Sequence, residues 1–504
     1  MIDSCKERRV RSCLWSGAAA TAVAGDTVAL IQSTEPSQPL ASRLPESLGT
    51  QLEDRRSVEP WVGCLNLLKT SMGTAITSIP YAFALSGYVV GPVLVAVSGI
   101  FTAYSLFLLS ACAHRVGGSQ TSFNALAQHT YPWASIVVDF VVAANCIGSA
   151  IGFTIIVGQL MSELAVTLLG AAAESLLASP QLWIAILFWG VMAPLAALKD
   201  LSMLRFSSMF GFCCVLYIVV MSVAYSVAPD HLGAYDHCKD AAEGCQGKRV
   251  AAVLSPLSQL QAIPIVLFAF GNQFNVFLVY NEIKAPSLQR MTNLVAAPAA
   301  AIAAGLFTSL GLAVYSVYGD AAEPNLLLSF PSGRREVQVA DLALALVAVC
   351  SFPLQVHPCR SAVVTLLCDA VQQAGAEGAH AALSGRFSGA LRAATTAALL
   401  LAIFTAGFVV SDLGLVFQVI GAVAGTGLTF YLPAAFFYKL FADDEPGGDA
   451  AGVEEAQRPP QCLFGKRWLR FHRRCCLVLV PLGLLLLVGT LGAVLSGKGS
   501  VPSG

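Results

Sequence analysis

The sequence predicts an all-α integral membrane protein of about eleven transmembrane helices, arranged as five, then five more in inverted repeat, then one extra helix. Three observations carry that reading. Of the 504 residues, 56% are hydrophobic and only 12% charged, with a mean hydropathy of +0.70; a water-soluble globular chain carries about 25% charged residues. Apolar stretches near the ~20-residue length that crosses a bilayer follow one another through the chain. Two of them, the first and the sixth, are interrupted at their middles.

The first 60 residues are polar. They carry Lys6, Arg8, Arg9 and Arg11, an Ala-rich stretch, and then a run rich in Ser, Pro, Gln and Glu. This composition reads as a disordered cytosolic tail in preference to a cleaved signal peptide. Apolar spans are then expected at Trp61–Leu85, Val89–Ala113, Ala134–Leu169, Leu182–Leu198, Phe206–Ala228, Ala252–Tyr280, Leu294–Tyr318, Val339–Leu367, Ala393–Val410, Leu413–Leu440 and Cys475–Leu495. The third and eighth exceed what a bilayer needs, which implies tilt or extension beyond it. The resulting divisions are a first repeat at 61–228, a loop at 229–251, a second repeat at 252–440, a further loop at 441–474, and a last span with a short C-terminus at 475–504.

Lys and Arg fall unevenly between alternate loops. With the N-terminus inside, the inner loops hold Arg115, Lys199, Arg205, Lys284, Arg290, Arg386, Arg392 and the basic cluster from Lys466 to Arg474. The outer loops hold few, so the bias favours a cytosolic N-terminus. The 229–251 loop is then non-cytosolic, a setting that permits a disulfide; Cys238 and Cys245 either bridge each other or stay free. The remaining cysteines are scattered through apolar runs and read as small hydrophobes.

The interruptions carry the functional signal. Gly73, Thr74 and Pro80 in the first span, and Gly271, Asn272, Gln273 and Asn275 in the sixth, sit at depths where unpaired backbone costs several kcal/mol per group. Such breaks persist where the freed N–H and C=O groups line a cavity. A matched pair in the two halves of a chain points to a transporter's substrate site. The small residues Gly73, Thr74 and Ala75 let a ligand approach the main chain, and the half-helix N-terminus there suits a carboxylate. The amides of the sixth span offer both donors and acceptors; the competing reading is an ordinary interhelical hydrogen bond worth about 0.6 kcal/mol.

Other polar groups lie in the spans. Lys69 is the one formal charge well inside the first span, where a charge needs a partner, a water path or a route to the interface. Ser351 lies mid-span in the eighth helix just before Pro353, which frees a carbonyl one turn earlier. His357 is titratable near neutral pH, although a packing role competes, and Arg360 is expected to reach the inner interface. Gly148/Gly152 and Gly421/Gly425 are GxxxG pairs that read as close helix packing, with Asn145 one turn before the first. Asp139, Asp341 and Asp412 fall near span ends and read as interfacial. There is no HExxH, GxSxG or Walker A motif, which argues against an enzyme and against an ATP-driven pump. A net charge of −1 suggests no nucleic-acid partner, and nothing in the sequence calls for a cofactor or a metal.

Specific residues now carry a family resemblance. NLLKTSMGTAITSIPYAFALSG resembles the first-helix signature of the amino acid/auxin permease family, N-x-x-K/N-x-x-x-G-[ST]-G-I-L-x-[LS]-P-x-A. FAFGNQFNVFLVYNEIKAPS resembles that family's sixth helix, SFPLQVHPCRS its eighth, and GAVAGTGLTFYLPAAFFY its tenth. The resemblance covers Trp61 to Leu495 and implies a LeuT-like 5+5 repeat. It implies an amino acid bound between the first, third, sixth and eighth helices, at Gly73, Thr74, Ala75 and Ile76, at Phe270, Gly271, Asn272, Gln273 and Asn275, and at Asn145. Ala75 stands where the family has a second glycine, which narrows access to the main chain. Ion coupling would fall on Lys69, Ser351 and His357. Sodium-coupled relatives have a hydroxyl where Ser351 stands, which this chain matches, but Asn where Lys69 stands and Cys-His where Asn272-Gln273 stand, so the resemblance favours a proton over sodium.

The leading expectation is therefore secondary active transport of amino acids, neutral by family precedent and because no intramembrane acid sits at either break. The alternative is a membrane amino acid sensor that binds without net transport, its N-tail or 441–474 loop docking a cytosolic regulator. The membrane would be the plasma membrane or that of a vacuole- or lysosome-like organelle.

Overall fold

The computed structural model describes residues 58–117, 121–170, 175–197, 205–235, 246–373, 388–442 and 466–496. The N-terminal tail up to residue 57, Cys238, Cys245 and residues 443–465 of the penultimate loop lie outside the described residues.

The described chain is helical throughout, and its one β-type pairing is an isolated parallel bridge between Val58 and Ile283. Among the described residues, ten stretches are long and apolar enough to cross a membrane. The difference from the expected eleven lies at the start. The 42-residue stretch Ala75–Val116 holds the second half of the first span and all of the second. Gly87 separates them with φ 89° and ψ 178°, a conformation open to glycine and strained for other residues. The chain doubles back there: a Cβ on Gly91 would lie 2.8 Å from the Phe83 ring, although eight residues of straight helix would span about 12 Å. The turn is pinned by main-chain bonds from Tyr88 N to Val250 O (3.2 Å), Val89 N to Ala251 O (2.8 Å) and Val253 N to Ser86 O (2.9 Å).

The remaining spans follow the hydropathy pattern closely, and their ends have local causes. Pro60, Pro180 and Pro256 occupy the first turn of their helices, where a missing N–H costs nothing. The Asp412 side chain caps the tenth span by accepting from Leu415 N at 3.1 Å. The third span, Ser135–Leu169, has 35 residues and the eighth, Arg335–Gln373, has 39; the eighth continues as helix through both Pro353 and Pro358. The central windows of the sixth and tenth spans are 78% buried, against 28% for the fourth and eleventh, so the sixth and tenth form the interior and the other two the rim.

The tenth span fits between the third and sixth because glycines remove side chains on both sides. Cβ atoms on Gly148 and Gly152 would collide with Ile420 and Phe417 of the tenth span; one on Gly421 would collide with the Pro264 carbonyl oxygen of the sixth. The tenth span also passes through two π-helical segments, Gly421–Gly425 and Gly427–Tyr431.

Three features depart from expectation. The last helix begins at Lys466, not Cys475, because its polar first turns are held by aromatic contacts. His472 lies 2.8 Å from the Tyr104 hydroxyl through Nδ1, packs tilted against Trp468 with centroids 3.7 Å apart, and is followed by Arg473 over the Tyr438 ring. A short helix, Phe123–Thr130, precedes the third span, capped by Ser122 Oγ accepting from Ala125 N. Asp139 and Asp341 are buried instead of interfacial, at 8% and 1% exposure. Asp139 accepts from Asn124 Nδ2 at 3.1 Å, whereas Asp341 faces the Glu163 charge of the third span.

The packing yields a test. Gly421→Ala should lower the melting temperature of the detergent-solubilised protein by several degrees, because overpacking against a main-chain carbonyl costs about 1–3 kcal/mol. Gly305→Ala, whose Cβ meets no described atom within 4 Å, should leave it unchanged or raise it.

Candidate functional site

The first span is helical from Pro60 to Ser71, loses helical form at Met72 and Gly73, and resumes as a 3₁₀ turn, Thr74–Ser78, running into the helix that starts at Ile79. The sixth is helical from Pro256 to Ala269, opens at Phe270–Asn272, and resumes through a 3₁₀ turn, Gln273–Asn275, into Val276–Glu282. Both breaks fall where the glycines and amides predict them.

The two spans lie side by side and antiparallel. Val58, before the first, exchanges main-chain bonds with the end of the sixth, from Val58 N to Glu282 O (3.1 Å) and from Lys284 N to Val58 O (2.9 Å). At the opposite end Val253, before the sixth, bonds Ser86 near the end of the first. The breaks therefore face each other, and side chains bridge them. Asn272 Nδ2 donates to Ser71 Oγ and Asn275 Nδ2 to Thr70 Oγ1, each at 2.8 Å. Thr70 and Ser71 in turn donate to the carbonyls of Asn66 and Leu67.

Between the breaks is a cavity of about 30 Å³, room for one or two waters. Of the residues expected from sequence, Gly73, Ala75, Asn145 and Gly271 line it. Thr74 opens the half-helix that follows Gly73. Ile76, Phe270, Asn272 and Gln273 are buried away from its wall. Phe270 packs edge-on against Phe307 at 5.0 Å, and Gln273 Nε2 donates to Ser105 Oγ (3.3 Å) and Thr429 Oγ1 (3.2 Å), tying the sixth span to the second and tenth.

Sequence reasoning passed over Thr70, Ser71, Ser149, Phe153, Phe274 and Gln355, which also line the cavity. Ser149 lies one turn after Asn145, and Gln355 one turn after Ser351; that helical spacing was the available signal.

The ends of the half-helices give the cavity its electrostatics. Each break joins a helix C-terminus, with its free carbonyls, to a helix N-terminus with free N–H groups. Because the spans are antiparallel, the N-terminus at Thr74 stands beside the C-terminus at Ala269. A group carrying a carboxylate and an ammonium is thus matched at both ends by main chain. Lys69 sits in the last turn of Pro60–Ser71, half-buried, with no carboxylate in ion-pair range among the described residues. A cation at that end is stabilised by the helix dipole. Ser351 is half-buried on the eighth span and outside the cavity wall. Arg360 Nη2 donates to His357 Nδ1 at 3.1 Å, which leaves that nitrogen as an acceptor.

A second cavity, about 410 Å³, opens at the Ser86 end of the pair and is lined by Tyr81, Gln159, Glu323, Asn325 and Asp412 among others. Burial first, and then Asp412, push the Glu323 carboxyl above its ordinary value. The Ser78 hydroxyl donates to the Pro324 carbonyl, binding the loop beside this vestibule to the first break.

Broken helices paired around a small polar cavity define a membrane transporter of LeuT-like architecture. The structure superposes on the inward-facing conformation of Mhp1 with a TM-score of 0.52 at 16% identity, covering 88% of this chain and 90% of that one. The family described as "Transmembrane amino acid transporter protein" matches residues 56–449, and the chain belongs to that family. It is 27% identical to vacuolar amino acid transporter 6 of Saccharomyces cerevisiae over 76% of this chain and 90% of that protein. It is 27% identical to vacuolar amino acid transporter 5 of Schizosaccharomyces pombe, over 74% and 83% respectively. Human solute carrier family 38 member 10 is 24% identical over 75% of this chain, which spans 32% of that protein.

The clamp between the breaks is open to measurement. Double-mutant cycles on Asn272→Ala with Ser71→Ala, and on Asn275→Ala with Thr70→Ala, should each return a favourable coupling between about 0.6 and 1.7 kcal/mol, read from thermal melts. Additive losses would show that the bridges contribute no coupling.

Proposed function

We propose that the chain moves neutral amino acids across its membrane by alternating access, driven by a proton gradient. The observation that carries this is the pairing of two main-chain breaks, with one N-terminal and one C-terminal helix end side by side at a cavity that holds no formal charge among its described lining residues. That arrangement fits the zwitterionic part common to all amino acids. The family and the vacuolar relatives support the substrate class and an organellar membrane, and the uneven spread of Lys and Arg between alternate loops supports an N-terminal tail in the cytosol. Lys69 supports proton coupling in preference to sodium: an ammonium at the end of Pro60–Ser71 would compete with a bound sodium ion for the same carbonyls. Ser351 and His357, on the eighth span, are the remaining candidates for the coupling path.

The test is uptake of a radiolabelled amino acid mixture into proteoliposomes holding the full chain. Uptake should follow an imposed proton gradient and ignore a sodium gradient. Gly73→Leu should abolish it by overfilling the cavity, with a melting temperature lowered by overpacking, and Gly73→Ala, whose Cβ would lie 3.4 Å from the Thr70 carbonyl oxygen, should weaken it with the melting temperature near that of the parent. Sodium-driven uptake would overturn the assignment of Lys69. Binding without uptake under either gradient would make the chain a sensor.

A further inference from the structure

The wall of the cavity opposite the breaks is polar without a structural reason to be. It is built from the third and eighth spans, both unbroken there. Asn145 on the third is 2% exposed, its Oδ1 has no hydrogen-bond partner, and that oxygen lies 3.7 Å from the place a Cβ on Gly271 would take. Gln355 on the eighth presents an Oε1 that is likewise buried and unpartnered. Ser149 lines the same wall, but its hydroxyl is committed to the Asn145 carbonyl at 2.9 Å. Two amide ends are therefore the uncommitted side-chain groups on this wall, and Phe153, Phe268 and Phe274 close its flanks.

We infer that Gln355, together with Asn145, selects the substrate's side chain, admitting neutral side chains that hydrogen-bond, amides and hydroxyls, over aliphatic and charged ones. This rests on the reading of the cavity as an amino acid site. In a state wider than the present cavity of about 30 Å³, the breaks serve the carboxylate and ammonium, so the side chain is what reaches the far wall. An aliphatic side chain would leave two buried acceptors permanently unpaired, which is the strongest form of rejection a small pocket has. A charged side chain would be buried without a counter-charge. An amide or hydroxyl satisfies both ends, because a half-turn of each protein amide exchanges its oxygen for its NH₂.

The experiment is competition by single unlabelled amino acids against uptake of the radiolabelled mixture in proteoliposomes, with glutamine, serine, leucine, lysine and glutamate as probes. In the parent chain, glutamine and serine should compete about tenfold better than the other three. Gln355→Leu should turn the order toward leucine, and Gln355→Glu should admit lysine, a gain that misfolding does not mimic. Leucine as the best competitor of the parent would overturn the inference, as would an unchanged order in both variants with flux retained. A parent chain that moves no amino acid fails the transport reading alone. The selection is then read from thermal stabilisation of the purified chain by each probe, where a larger shift with leucine than with glutamine refutes it.

Discussion

Main-chain polar groups in a bilayer have to find partners inside the protein, and this requirement shapes everything else in the molecule. Two spans violate the simplest solution, the unbroken helix. They do so together, facing each other, so that each supplies part of what the other lacks: Asn272 reaches Ser71, and Asn275 reaches Thr70. One break alone would be a defect. Two, in register and antiparallel, leave a small set of free groups concentrated at one place.

The surrounding helices are arranged to hold that place still. Gly148, Gly152 and Gly421 bring the tenth span against both the third and the sixth, and Gln273 fastens the sixth break to the second and tenth spans. The precision is needed because the cavity is small, about 30 Å³, so a shift of one side chain would erase it. Lys69 lies in the last turn of the first half-helix, the end at which a cation is stabilised by the helix dipole.

Much of this was legible in the sequence, and the exceptions have physical causes. Span positions follow from hydropathy because lipid imposes length and composition directly, and the breaks announce themselves because glycine and amide have no reason to lie at mid-span. The side of the helix an amide faces is not announced. Asn272 and Gln273 are neighbours, yet both turn toward protein partners, whereas Asn145 turns to the cavity. Gln355 went unseen because a lone amide in an unbroken helix is as consistent with packing as with binding until a cavity is shown beside it. The reversal at Gly87 falls in the gap between the expected first span, ending at Leu85, and the second, beginning at Val89. The early start of the last helix depends on Tyr104 and His472, 368 residues apart, and no local pattern reports such a contact.

The main-chain stitches at the ends of the broken pair have a further effect. Val58 is sewn to the end of the sixth span and Ser86 to its beginning, so the two spans form a loop of cloth closed at both hems. A motion that keeps these stitches and opens the cavity would part this closed unit from the third and eighth spans. On the proposed reading, the groups assigned to a substrate's main chain then travel with one body, and those assigned to its side chain stay with the other. A substrate engaging both is a rivet between moving parts. One engaging only the breaks is cargo resting on a single plate, free to occupy the protein without pulling the two halves together.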